Sequence, residues 1–92
     1  MQLDFGKPKL LVYILYSQKR SRYYVGQTYD IENRLIRHNS GLVVSTKTVA
    51  PWDLVYIQNV NSRSEALFLE KKIKKRGAKK YIEDNQFGVY HA

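Results

Sequence analysis

The sequence predicts an α+β fold, a small three-stranded antiparallel sheet flanked by helices in the order β-β-α-β-α-α. Three observations carry this. Leu10-Leu11-Val12-Tyr13-Ile14-Leu15-Tyr16 is apolar throughout, which suits a strand covered on both faces. Tyr23-Tyr24-Val25-Gly26-Gln27-Thr28, rich in strand formers, follows after a short polar stretch, as in an antiparallel hairpin. Two later segments carry helix-start signals ahead of helically spaced apolar residues.

In chain order, residues 1–9 hold Gly6 and Pro8 and read as a loose lead-in. The polar run Ser17-Gln18-Lys19-Arg20-Ser21-Arg22 separates the first two strands. Asp30 suits an N-cap. Ile31, Leu35 and His38 then share one face of a short helix, which Asn39-Ser40-Gly41 ends. Residues 42–53 form a loop closing on Pro51-Trp52, and Leu54-Val55-Tyr56-Ile57 is the third strand. Ser62-Arg63-Ser64-Glu65 is a capping box that opens a long helix reaching Arg76. Gly77 breaks it, Ala78 to Asp84 adds further helical turns, and the tail after Asn85 is expected to fray. No repeat or linker divides the chain, so residues 1–92 are expected to form one domain with its core in residues 10–84.

A domain of 92 residues buries only about two-thirds of its unfolded surface, which leaves little room for a large internal cofactor cavity. No small-molecule cofactor is therefore expected. The longest apolar run falls far short of the roughly 20 residues of a membrane helix, and no signal-peptide pattern opens the sequence. With no cysteine there are no disulfides, thiolate metal sites or cysteine nucleophiles. That suits a reducing cytoplasm, the expected location. The net charge of +8, from 16 Lys and Arg against 8 Asp and Glu, favours polyanionic partners.

Leu11-Val12-Tyr13, followed by Tyr24-Val25-Gly26, resembles the two-strand signature of the GIY-YIG nuclease family. Arg34 sits in the first helix where that family carries an arginine, and His38 follows one turn later where many members have histidine. Glu70 lies in the long helix where the family has its metal-binding glutamate. Ser45-Thr46-Lys47, Pro51-Trp52, Leu54-Val55-Tyr56 and Glu70-Lys71-Lys72-Ile73-Lys74-Lys75 are similar to the small stand-alone branch. Leu11 replaces the glycine of the family name, and Gln27 stands where many DNA-repair members have lysine. Asn85 is a candidate for the late asparagine of some members. The resemblance implies a nuclease in which Tyr24 helps to activate water and Tyr13 assists it or positions the phosphate. It also implies that Glu70 binds one Mg²⁺ or Mn²⁺ ion.

These residue types fit that chemistry. Phosphodiester hydrolysis needs an activated water and stabilisation of charge on the phosphoryl and leaving oxygens, which a divalent ion supplies. Mg²⁺ often binds through one or two carboxylates and completes its shell with water and phosphate. Ala66, Leu67 and Ile73 are three or four positions from Glu70, which turns it toward the sheet, where a carboxylate is costly without a cation. The plainer alternative is an ion pair with Arg34 or a lysine. A free tyrosine has a pKa near 10, which a neighbouring arginine or metal lowers. Arg34 suits a forked hold on phosphate. His38 suits proton transfer or phosphate binding, or else simply ends its helix near the negative dipole pole. Gly26 either leaves room for a close approach or merely ends a strand.

Register sets a geometric condition. Tyr13 and Tyr24 share a sheet face only if paired residue numbers in the hairpin sum to an odd value. Lys71, Lys72, Lys74, Lys75, Arg76, Lys79 and Lys80 cannot all share one helix face, so several are simply solvated. Arg22, Lys47, Lys71, Lys74 and Lys75 are the candidate phosphate contacts, without base reading. The expected function is a metal-dependent DNA endonuclease of low sequence specificity, selective for structure if for anything. The alternative is a nucleic-acid-binding domain of the same fold with weak or no cleavage. Phosphate contacts do not separate DNA from RNA.

Overall fold

The computed structural model of the chain describes residues 9–43 and 50–85. The continuous apolar run becomes the central strand, β1 (Leu11–Ser17), with β2 (Arg22–Thr28) and β3 (Asp53–Asn59) antiparallel on its two sides. A strand with neighbours on both edges and helices over both faces has no solvent side, which is why β1 needs no polar alternation. The helices are α1 (Ile31–Asn39), α2 (Arg63–Arg76) and α3 (Ala78–Asp84), in the order the sequence predicts.

The helix boundaries lie at the expected signals. The Asp30 side chain accepts from the Asn33 N–H at 3.1 Å, and Ser62 Oγ accepts from the Glu65 N–H at 3.1 Å. Glu65 reaches back to the Asn61 N–H rather than to the cap residue itself. Gly41 and Gly77 have φ of 82° and 93°, the left-handed region where glycine escapes the Cβ clash. Asn39 does more than stop α1. Its side chain accepts from the Trp52 N–H at 2.5 Å and donates to the Trp52 carbonyl at 3.1 Å, tying the end of α1 to the approach to β3.

Two cores lie back to back across the sheet. One face of β1 gives Val12 and Ile14 to a cluster with Tyr56, Ala66, Leu69, Ile73 and Tyr81 beneath α2 and α3. The other gives Leu11, Tyr13 and Leu15 to a cluster with Trp52, packed by Tyr24 and by Ile31 and Leu35 of α1. The pairing of β1 with β3 shifts between Ile14 and Leu15. This bulge returns Leu54 to the α1 face while Val55 and Tyr56 both serve the α2 face.

Candidate active site

The odd-sum condition is met. Tyr13 pairs with Gly26 and Leu15 with Tyr24, so both tyrosines stand on the α1 face. Their ring centroids are 6.2 Å apart. Gly26 has a more specific purpose than clearance for an incoming backbone or phosphate. A Cβ there would lie 2.7 Å from Tyr13 Oη and 2.8 Å from Cζ, so the missing side chain is the bed of the Tyr13 ring.

That bed directs the Tyr13 hydroxyl to His38, 3.0 Å from Nε2. Both residues are enclosed, with 1% of Tyr13 and none of His38 exposed. Burial, then Tyr24, push the Tyr13 phenol well above its usual range, against an opposing pull from Arg34 and with a smaller upward push from Glu70. Tyr13 is therefore a protonated phenol at neutral pH and not a base. The His38 imidazole is pushed down, first by burial and then by Arg34 and Arg37. It is neutral at physiological pH, opposite to what a helix C-terminus alone would do. Full burial also removes His38 from direct contact with a phosphate, which corrects the expectation of a phosphate-binding histidine.

Tyr24 is half-buried. Its ring meets His38 edge-on at 4.7 Å and Trp52 at 6.2 Å. It lines a shallow depression with Tyr23, Val25, Lys74 and Ala78. Arg34 is half-buried on α1, and among the described residues its guanidinium has no carboxylate partner.

Glu70 reaches the same strand from the opposite face. Gln27 pairs with Val12, whose side chain belongs to the α2 core, so Gln27 points toward α2. Its Nε2 donates to Glu70 Oε2 at 2.5 Å, and its Oε1 accepts from Arg63 Nη1 at 2.6 Å. The site therefore straddles edge strand β2, with tyrosines on one side and the carboxylate on the other. The inward helix face is Ala66, Leu69 and Ile73, while Leu67 faces solvent, which corrects the expected face at that position. Glu70 lies at the border of this face with 14% of its side chain exposed, and the Lys74 ammonium is 3.9 Å from Oε1.

Among the described residues no cluster of three or more His, Asp or Glu side chains occurs, so a metal at Glu70 would have at most one further such ligand among them. A hard carboxylate at an accessible rim, with a cation no nearer than 3.9 Å, fits Mg²⁺ or Mn²⁺ completed by water and phosphate. Of the other expected contacts, Arg22, Lys71, Lys74 and Lys75 are exposed, and Lys47 lies outside the described residues. Asn85 caps α3, donating to the Tyr81 carbonyl at 2.8 Å, and lines a depression with Gln58 and Phe68 that includes neither Tyr24 nor Glu70. Arg63 and Arg37 line a cleft with Arg34, and the sequence does not single them out. Arg63 sits in a capping box that reads as a helix start, and Arg37 carries no motif.

Fold and edge-strand arrangement together place the chain among small nuclease-family domains. It belongs to the GIY-YIG family, whose catalytic-domain profile matches residues 9–82. It is similar to UPF0213 protein spr1390 of Streptococcus pneumoniae strain R6, 38% identical over 82 residues that cover 85% of this chain and 82% of that protein. It is also similar to UPF0213 protein SSP2268 of Staphylococcus saprophyticus, 44% identical over 52 residues covering 55% and 63% of the two chains. The solution NMR structure of the UPF0213 protein BH0048 from Bacillus halodurans superposes with a TM-score of 0.51 at 28% identity, covering 86% of this chain and 84% of that one. Among the described residues no helix is long and apolar enough to cross a membrane.

Proposed function

We propose that this domain hydrolyses phosphodiester bonds of DNA with low sequence specificity, using one Mg²⁺ or Mn²⁺ ion held by Glu70. The observation that supports this most directly is the convergence on β2 of Tyr24 and Arg34 from one face and the Glu70 carboxylate from the other. A divalent ion at that carboxylate supplies Lewis-acid stabilisation of the phosphoryl charge. Arg34, permanently charged and fork-shaped, holds the phosphate oxygens. Tyr24, the accessible phenol, orients the attacking water and in its phenolate form takes the water proton. Tyr13 and His38 act through Tyr24. Their buried hydrogen bond and the edge contact of the imidazole fix the Tyr24 ring, so they are positioning residues. Arg22, Lys71, Lys74 and Lys75 add backbone attraction without reading bases. The absence of cysteine suits work in the reducing cytoplasm.

One observation favours a second reading, a binding domain with weak or no cutting. Glu70 already accepts a hydrogen bond from Gln27, and Lys74 stands beside it. Both readings are tested by incubating labelled single-stranded, flapped and branched DNA with Mg²⁺ or Mn²⁺. The wild type is compared with Glu70→Gln and Tyr24→Phe. The nuclease reading expects metal-dependent cutting that falls at least about 100-fold in Glu70→Gln, the scale of losing a transition-state charge stabiliser. Salt-sensitive binding without cutting by the wild type supports the second reading instead.

A further inference from the structure

We infer that the cleft walled by Arg34, Arg37 and Arg63 is a second phosphate site, in which Arg37 and Arg63 hold the backbone phosphate adjacent to the one shared by Glu70 and Arg34. The position of that reacting phosphate is taken from the nuclease reading above. The cleft measures about 260 Å³ and lies at the Thr28 end of β2, where α1 and the start of α2 approach each other. It has room for a phosphate and part of its sugar and is below the range of drug-sized pockets, about 300–1,000 Å³.

Three guanidiniums line this one cleft. Arg34 and Arg37 are three residues apart on α1 and are neighbours on its surface. Arg63 comes from the first turn of α2, where its guanidinium lies 5.1 Å from the Tyr29 ring centroid and donates to Gln27. Stacking and this hydrogen bond fix the plane of the Arg63 fork and leave its other donors for a ligand. Asp30 is the carboxylate in the wall, and its Oδ1 is already engaged in capping α1. The ion pairs among the described residues are Lys74–Glu70 and Arg76–Asp84, so none of the three arginines is ion-paired, and Asp30 in the wall offsets one of their three charges. Like charges gathered without a partner repel, and an anion between them removes that repulsion.

The position of the cleft identifies which anion. Glu70 has two partners, and each lines a different depression. Gln27 lines the arginine cleft, and Lys74 lines the depression that holds Tyr24. A polynucleotide crossing the β2 edge with its reacting phosphate at Glu70 therefore has basic walls on both sides. The next phosphate falls between Arg37 and Arg63, with Arg34 on the side of the reacting phosphate. A lone small anion would have no use for the second wall.

The test is binding of a 5′-labelled thymidine decamer without divalent metal, so that turnover plays no part. Affinity is measured from 50 to 200 mM salt for the wild type, Arg37→Gln/Arg63→Gln and Lys79→Gln. The last removes an exposed charge on α3, outside the cleft. We expect the double variant to bind at least about 10-fold more weakly at 100 mM salt. Its salt slope should be shallower by about 1.4, at roughly 0.7 per lost single-strand contact. Lys79→Gln should change affinity less than about 2-fold, and Arg63→Lys should recover only part of the loss because it keeps charge without the fork. Equal losses in the double variant and Lys79→Gln, or no binding by the wild type, would overturn the proposal. Failure of the nuclease reading is a separate result, seen as intact cleft-dependent binding by a wild type that cuts nothing.

Discussion

The two faces of β1 each bury a tyrosine, and the chemistry around them differs. On the α2 face Tyr56 packs edge-on against Tyr81 at 5.5 Å, and both phenols hydrogen-bond Gln58 Oε1, at 2.6 and 3.2 Å. Their neighbours are aliphatic residues from α2 and β1. On the α1 face Tyr13 meets an imidazole, a second phenol and, through space, Arg34 and Glu70. Burial is the largest cause raising both phenols. A raised pKa therefore does not tell a structural tyrosine from a site tyrosine. The partner does: an amide oxygen closes off Tyr56, whereas Tyr13 holds a group that itself touches the accessible Tyr24.

The largest effect should come from emptying the aliphatic face. Ile73→Ala, at a fully buried position, should cost about 2–5 kcal/mol, read as a lower urea midpoint. The cleavage rate per folded molecule should be unchanged, and a lost rate in the folded protein would break the division between the faces. Gly26→Ala strikes the aromatic face. The added methyl lands on the Tyr13 ring, which cannot retreat through the packed core, and should cost about 1–3 kcal/mol. Here cleavage should fall even in the folded fraction.

A matched pair of substitutions sharpens the comparison further. Tyr56→Phe should cost about 0.5–1.5 kcal/mol and leave the His38 NMR titration where it is. Tyr13→Phe deprives the buried His38 Nε2 of its phenol partner, should cost about 1–3 kcal/mol, and should move that titration. Identical His38 titrations in the two variants would remove the positioning role of Tyr13.

The smallest effect is a pH dependence. The folded His38 pKa lies below its ordinary 6.5, so in mild acid the unfolded chain takes up a proton that the folded chain refuses. The contribution is fully present above the unfolded value and is lost as pH falls through 6.5 toward the folded one. The melting temperature should therefore fall between pH 7.5 and 5.5, and less steeply in His38→Gln. An equal slope in that variant would place the acid sensitivity elsewhere.

Much of this was legible in the chain. Caps, breakers and apolar spacing are local, so Asp30, Ser62, Gly41 and Gly77 marked the helix limits without tertiary knowledge. The all-apolar run announced a central strand because only that position hides both faces. The motif named Tyr13, Tyr24, Arg34 and Glu70, and the hairpin parity that would unite the tyrosines could be written down in advance. Which parity the polar turn adopts is settled by packing on both faces at once. Only the tertiary structure showed that Gly26 is the bed of the Tyr13 ring, and that His38 is sealed and neutral. The same holds for Glu70 approaching β2 from the face opposite the tyrosines, and for Arg63 joining Arg34 and Arg37 in one cleft. These are contacts between residues far apart in sequence. They depend on how α1 and α2 dock on opposite faces of one edge strand, a spatial relation that no local pattern encodes.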